Sequence, residues 1–387
     1  MEKITNQELI FVELRQRLQS GLLIIRSDIV KDGVEVNVAG EERSFKIILP
    51  DAVCEVKLPQ MISLAEWSFP KLNDDGLYIR LRLKVDQFSE ASDSVIEHLS
   101  PQRKYCFLCQ SCATILLKDK VFKRVLPLPN GNWNTLVDDW CCHPDPFANK
   151  KLLPRQEDCL LGDTYYLLNR DSSCEETLIN EMNSSFDVHS GKVPVHRNVE
   201  VLCKKCNAVL GEAVTADVLK FYMTEVVVRK QEDETRTIIQ HRKQFLERAI
   251  ASKLIELSSA QCIFRFSIQT PDGKAAIMLW LLNTDTLIAS LSQKAISSDG
   301  LNSSSNCHLD EQQSCQAVNA IKVLYLPCTP GEHQEDVNAW EKDISVHPLI
   351  LPHGTCEEIL QLLSSSNKAL PSSLCSMNCY QVAYLRR

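Results

Sequence analysis

The 387 residues carry a net charge of −8, with 44% apolar and 24% charged residues, the proportions of a globular protein and not of a disordered chain. That length exceeds what one core ordinarily serves, so two or three domains are expected. An acidic balance without a dense Lys/Arg run excludes a protein that grips nucleic acid by general phosphate attraction, and no direct nucleic-acid partner is expected.

Residues 1–20 carry charges through their apolar stretch, which argues against a secretory signal. The first hundred residues read as β-rich. Val34, Val36 and Val38 alternate with polar neighbours, and Phe45 to Leu49 is a further candidate strand. Asn73-Asp74-Asp75-Gly76 supplies a turn, after which Leu77, Ile79, Leu81, Leu83 and Val85 alternate with polar residues as a half-buried strand does. From 101 to 235 the cysteines cluster and a Pro-rich stretch, Pro127 to Pro154, intervenes. Arg242 to Leu257 places most of its apolar groups on one helical face. Strands are expected at 263–268, 275–282, 321–326 and 380–385, a long polar loop at 290–314, and a helix at 356–363. The run Ala275 to Leu282, the longest uncharged apolar stretch, is too short to span a bilayer, so no membrane association is expected. The reading is an α+β, β-rich chain in three parts: an N-terminal antiparallel sheet (1–100), a central zinc-stapled β domain (101–235) and a C-terminal α+β domain (236–387).

Seventeen cysteines, an odd number without a secretion signal, fit a reducing compartment, the cytoplasm or also the nucleus. Scattered ones such as Cys54, Cys174, Cys262 and Cys328 read as small hydrophobes. Cys109-Gln-Ser-Cys112 and Cys203-Lys-Lys-Cys206 differ from these. Two residues between thiols let both turn toward one point, and two such turns complete a tetrahedral shell around one structural zinc. Each pair runs into an apolar stretch, so each reads as a turn entering a strand. A redox Cys-x-x-Cys, or two unrelated buried pairs, are the competing readings.

Between the pairs lies Trp133 to Phe147, containing Trp140, Cys141, Cys142, His143 and Asp145. Thiol, imidazole and carboxylate all suit metals, and two prolines stiffen the stretch. It is either an aromatic-anchored loop packed on the zinc domain or a presented peptide that offers a ligand to a partner's metal. Near the C-terminus, Leu351-Pro352-His353-Gly354-Thr355-Cys356 leads into the expected helix. A thiol at a helix N-terminus feels the positive end of the backbone dipole and can act as a nucleophile, with His353 nearby. Glu357 and Glu358 push the other way, toward an inert thiol. Cys375 and Cys379 are weaker candidates with no base beside them.

The combination of CQSC, LPLP-x₃-W with WCCHPDPFANK, CKKC, KFYMTE and DISVHPL-x-LP-x-x-TC resembles a family of HECT-like ubiquitin-protein ligases that bind ubiquitin-conjugating enzymes. The resemblance covers about Tyr105 to Leu385. It implies an enzyme that accepts ubiquitin from a conjugating enzyme and passes it to substrate lysines. It implies Thr355-Cys356 as the counterpart of the HECT thioester site, although Gly354 stands where those ligases carry His. It also implies the segment around Arg242 to Leu257 as the conjugating-enzyme contact; on the apolar face of that expected helix, Phe245, Ile250 and Leu254 either anchor the conjugating enzyme or pack on the chain's own domain. The same resemblance implies an alternative, non-catalytic role: insertion of the WCCHPDPF loop into the active site of the cleavage and polyadenylation endonuclease, with Trp140, Cys141, Cys142, His143 and Asp145 as the contact residues.

Overall fold

A computed structural model describes residues 8–27, 37–40, 43–49, 53–86, 96, 98–129, 152–182, 199–231, 241–292, 313–329 and 334–387. The chain is β-rich and divides into two compact units. One comprises Met1–Asp93, Trp280–Leu326 and Gln361–Arg387; the other comprises Ser94–Leu279 and Pro327–Leu360. The three-part division drawn from composition follows the chain linearly, whereas these units gather segments distant in sequence.

In the first unit, strands Glu8–Arg15 and Ser20–Arg26 form an antiparallel hairpin, closed by a tight turn in which Gln19 adopts a left-handed conformation. Gly76–Val85, the strand with the clearest alternation, pairs antiparallel with the second arm. The long strand Ala275–Ser292 pairs with the first arm. One face of this sheet and the smaller sheet of Asn37–Gly40, Ser44–Ile48 and Val53–Lys57 contribute to a common core that includes Val12, Leu23, Phe45, Ile47, Val56, Ile79 and Leu287. The smaller sheet gains a parallel edge strand, Gln313–Gln316, from more than 250 residues downstream. The ends of the expected polar loop fall in two strands, Ala275–Ser292 and Gln313–Gln316; residues 293–312 lie outside the described residues.

The second unit holds the cysteine pairs. Lys104–Cys109 is the middle strand of three, between Ile115–Val121 and Val226–Lys230. A seven-stranded sheet includes Val199–Cys203, Val209–Ala213 and Val218–Tyr222 in antiparallel succession. Phe107 lies between these layers, with ring neighbours Phe122, Tyr166 and Phe221. Arg265–Gln269 and Val346–Ile350 pair in parallel. The strand Val346–Ile350 then delivers the chain to the helix His353–Lys368, whose first turns belong to this unit. No helix among the described residues is long and apolar enough to cross a membrane.

Candidate metal centre and the Thr355-Cys356 turn

Cys109 and Cys203 each end a strand, and the backbone after each follows one pattern. The Cys109 amide donates to the Thr114 carbonyl at 2.9 Å, and the Ala113 amide returns to the Cys109 carbonyl at 2.9 Å. The Cys203 amide donates to the Ala208 carbonyl at 2.9 Å, and the Asn207 amide returns to Cys203 at 2.8 Å. Ala113 (φ 63°) and Asn207 (φ 58°) are both left-handed, which closes each turn and swings the second cysteine back over the first. Gly211 lies beyond this turn, in the next strand. A Cβ there would stand 1.8 Å from the Lys220 carbonyl oxygen, so close strand approach requires that glycine.

The two turns bring four thiols together. The Sγ atoms of Cys109, Cys112, Cys203 and Cys206 all lie within 4.8 Å of one another. Cys109 and Cys206 are 3.6 Å apart and Cys112 and Cys203 3.7 Å. A tetrahedral ion with metal–sulfur bonds of about 2.3 Å needs sulfur–sulfur edges of about 3.8 Å, so the set fits a single metal ion. Cys109 and Cys203 are buried while Cys206 reaches the surface, which leaves a side for metal entry.

Arg242 begins the helix Arg242–Gln261 and ties three segments of the second unit together. Its Nε donates to Glu358 at 2.9 Å, its Nη2 to Glu225 at 2.9 Å, and its Nη1 to the Thr224 carbonyl. The Thr355 hydroxyl donates to the same Glu225 oxygen at 2.6 Å. Burial draws the guanidinium's pKa down, but Glu225 and Glu358 outweigh it and hold the value above its ordinary position. Thus the KFYMTE segment, through Glu225, and the Thr-Cys segment, through Thr355, meet at one arginine. Sequence reading missed this network, because a lone Arg at the start of a helix carries no signal of its distant partners.

The helix expected from Cys356 begins three residues earlier, at His353, so Cys356 is its fourth residue and its amide already bonds to the Pro352 carbonyl. His353-Gly354-Thr355 are weak helix formers and read as loop in the sequence. The Cys356 side chain is 3% exposed, and its thiol faces the carbonyls of Gln269 and Leu351 at 3.7 and 3.6 Å. Burial, with Glu357 and Asp272 adding to it, pushes this thiol up to about 12. His353 turns elsewhere, toward Asp272 at 3.9 Å.

Phe245, Ile250 and Leu254, expected as docking anchors, are buried side chains, because the apolar stripe of the Arg242–Gln261 helix faces inward. Lys243, Gln244, Arg248 and Glu256 form its outward face. Cys54 and Cys174 are buried as expected, whereas Cys262 is exposed and takes the left-handed position that ends this helix. Cys375 is half-buried and Cys379 exposed. Trp140, Cys141, Cys142, His143 and Asp145 lie outside the described residues.

A family model described as HECT-like ubiquitin-conjugating enzyme (E2)-binding matches residues 13–382. A protein named as an E3 ubiquitin-protein ligase in Mus musculus is 40% identical over 383 residues, covering 97% of each chain. The protein of the same name in Bos taurus is 40% identical over 402 residues, with both chains covered completely. That in Homo sapiens is 39% identical over 385 residues, covering 97% of each. No solved structure matches the chain. Matched across nearly its whole length, the chain belongs to the HECT-like ubiquitin-conjugating enzyme (E2)-binding family.

Proposed function

We propose that this chain is a ubiquitin-protein ligase that binds a ubiquitin-charged conjugating enzyme and promotes transfer to a substrate lysine directly, without a thioester on Cys356. End-to-end similarity to proteins named as ubiquitin ligases supports the activity. The direct route rests on one observation: the Cys356 thiol is 3% exposed and its pKa is raised to about 12. A carrier cysteine must meet a thioester carbonyl and attack as thiolate, whereas burial keeps this thiol out of reach and in its neutral form. In the direct route the lysine amine attacks the thioester carbonyl. The amide bond forms, the conjugating enzyme's thiolate leaves, and the amine's proton passes to solvent.

In this reading the four-cysteine cluster holds zinc. Four thiolates fill a tetrahedral shell and leave no open position, so the ion is structural and ties two strand ends about ninety residues apart. The conjugating enzyme docks on the outward face of the Arg242–Gln261 helix, through Lys243 and Arg248, because the apolar face is committed to the interior. Compared under identical conditions, wild type and Cys356→Ala should discharge ubiquitin from a charged conjugating enzyme to lysine at equal rates. Loss of discharge by a folded Cys356→Ala chain would instead support the covalent route.

A further inference from the structure

Glu8–Arg15, Ser20–Arg26 and Gly76–Val85 are neighbours in the larger sheet of the first unit, and alternate residues of each face away from the core that holds Val12, Leu23 and Ile79. Strand register lines these outward residues up in two rows, Glu13–Leu22–Arg80 and Arg15–Ser20–Arg82. Farther along the same sheet, Phe11, Leu324 and Tyr384 pack with Leu370 in a second apolar cluster. Over the two rows a cavity of about 630 Å³ opens instead, lined also by Leu18 and Lys322. Most of its charges are committed. Lys322 meets both oxygens of Glu13 at 3.1 Å, and Arg15 meets Asp285 at 3.4 Å. Arg82 meets Glu66 at 3.4 Å, with both side chains at least 70% exposed. Arg80, exposed in the same strand, forms no ion pair with the described residues.

The sheet edge beside Arg80 carries a second, independent feature. Trp67 pairs with Leu81 and Lys71 with Tyr78, so Ser68, Phe69 and Pro70 stand opposite only Ile79 and Arg80. That is a bulge of one residue. Ser68 stays on the strand: its amide donates to the Arg80 carbonyl at 2.9 Å, and its hydroxyl accepts from the Arg80 amide at 3.0 Å. Phe69 is pushed outward, and its side chain is 95% exposed. Pro70 restricts the residue before it to extended backbone, which limits how Phe69 can fold back. The bulge, Pro70 and Lys71 already protect the edge from pairing with other chains, and an exposed phenylalanine works against that protection. An aromatic fixed in solvent beside an uncommitted arginine has the composition of an interface anchor.

We propose that this face docks an extended acidic segment of a partner protein, with carboxylates two residues apart on Arg80 and Arg82 and an apolar residue against Phe69. Alternate residues of a strand stand about 7 Å apart on one face, and alternate residues of an extended peptide have the same spacing. Two carboxylates of such a peptide therefore each reach one guanidinium, in charge-assisted hydrogen bonds. Arg82 gives up only a solvent-exposed pair with Glu66, which is worth little. A nucleic-acid strand fits less well, because its phosphates continue past the two arginines toward Glu13 and Glu66. The proposal uses no residue of the ubiquitin-transfer reading and stands apart from it.

The test uses the full chain and three capped peptides. Acetyl-Glu-Leu-Glu-Leu-amide has the proposed spacing, acetyl-Gln-Leu-Gln-Leu-amide keeps its shape without charge, and acetyl-Glu-Glu-Leu-Leu-amide keeps its charge but turns adjacent carboxylates to opposite sides. The Leu18 and Leu22 methyl resonances report on the face. The first peptide should shift them saturably at millimolar concentrations, and the other two should bind at least about tenfold more weakly. Added salt should weaken the first peptide. Arg80→Gln, at an exposed position, should leave cooperative melting unchanged and weaken binding about tenfold. Phe69→Ser should weaken it about fivefold. Equal binding of either control peptide, undiminished binding by both variants, or no saturable shift would overturn the proposal. Saturable binding of an oligothymidylate, with none of the first peptide, would also overturn it by making the face a nucleic-acid site.

Discussion

Adjacent in sequence, Thr355 and Cys356 face different surroundings. The Thr355 hydroxyl is committed to Glu225, and the Cys356 thiol points at two backbone carbonyls. The raised thiol pKa has a defined sign. The neutral thiol is favoured in the folded state, so its contribution to stability is complete below about pH 8.5, the ordinary thiol value, and is lost as pH rises toward 12. Alkylation at pH 8, followed by peptide mass analysis, should therefore label the exposed Cys262 and Cys379 while Cys356 stays unmodified until the chain is denatured. Labelling of Cys356 at the rate of Cys379 would contradict this burial. Arg242→Met should destabilise the fold by about 3–5 kcal/mol in denaturant titrations, because it strands Glu225, whose side chain is 9% exposed. Adding Glu225→Gln should recover part of that loss, since the two residues share one network. The thiol pairs were legible in the sequence because spacing encodes their geometry. The Arg242 network was not, because its members are separated by 17 and 113 residues and ordinary polar residues give no pattern.

At the scale of single elements, periodicity located the Gly76–Val85 strand and the Arg242–Gln261 helix because each alternates in the way its geometry demands. The same pattern left open whether the helix's apolar stripe faces the protein's own core or a partner. The structure places it inside. Phe245→Ala should then cost about 3–5 kcal/mol and Leu254→Ala about 2–5 kcal/mol in equilibrium unfolding, as core truncations do. The paired reversal Lys243→Glu with Arg248→Glu should leave stability within about 0.5 kcal/mol while weakening conjugating-enzyme binding in a titration. Unchanged binding by that pair would move the docking surface elsewhere on the chain. The left-handed Ala113 and Asn207 show a different limit. They close equivalent turns, yet neither is the glycine that sequence reading looks for at such positions.

Across the whole molecule, local pattern found some strands, among them Ser44–Ile48, Gly76–Val85 and Val318–Pro327, but not their partners. Gln313–Gln316 joins Val53–Lys57, and the C-terminal third of the chain contributes to both compact units, arrangements that nothing in a linear profile specifies. The zinc-sized cluster is the exception, since two Cys-x-x-Cys pairs announce a contact between distant strands. Metal analysis should find one zinc per chain, and Cys206→Ala should lose it. Chelation, or acid that protonates the thiolates, should abolish hydrogen-exchange protection in Lys104–Cys109 and Val199–Cys203 first. The Ile10–Leu14 segment of the other unit should keep its protection longer.

Direct transfer from a bound conjugating enzyme is tested most sharply by a single-turnover assay. A ubiquitin-charged conjugating enzyme is mixed with wild type or with Cys356→Ala of matched folding, and the products are resolved without reducing agent. Direct transfer predicts equal discharge to lysine and no reductant-sensitive ubiquitin adduct on either chain. A thioester adduct on wild type that disappears in Cys356→Ala, together with lost discharge, would contradict it.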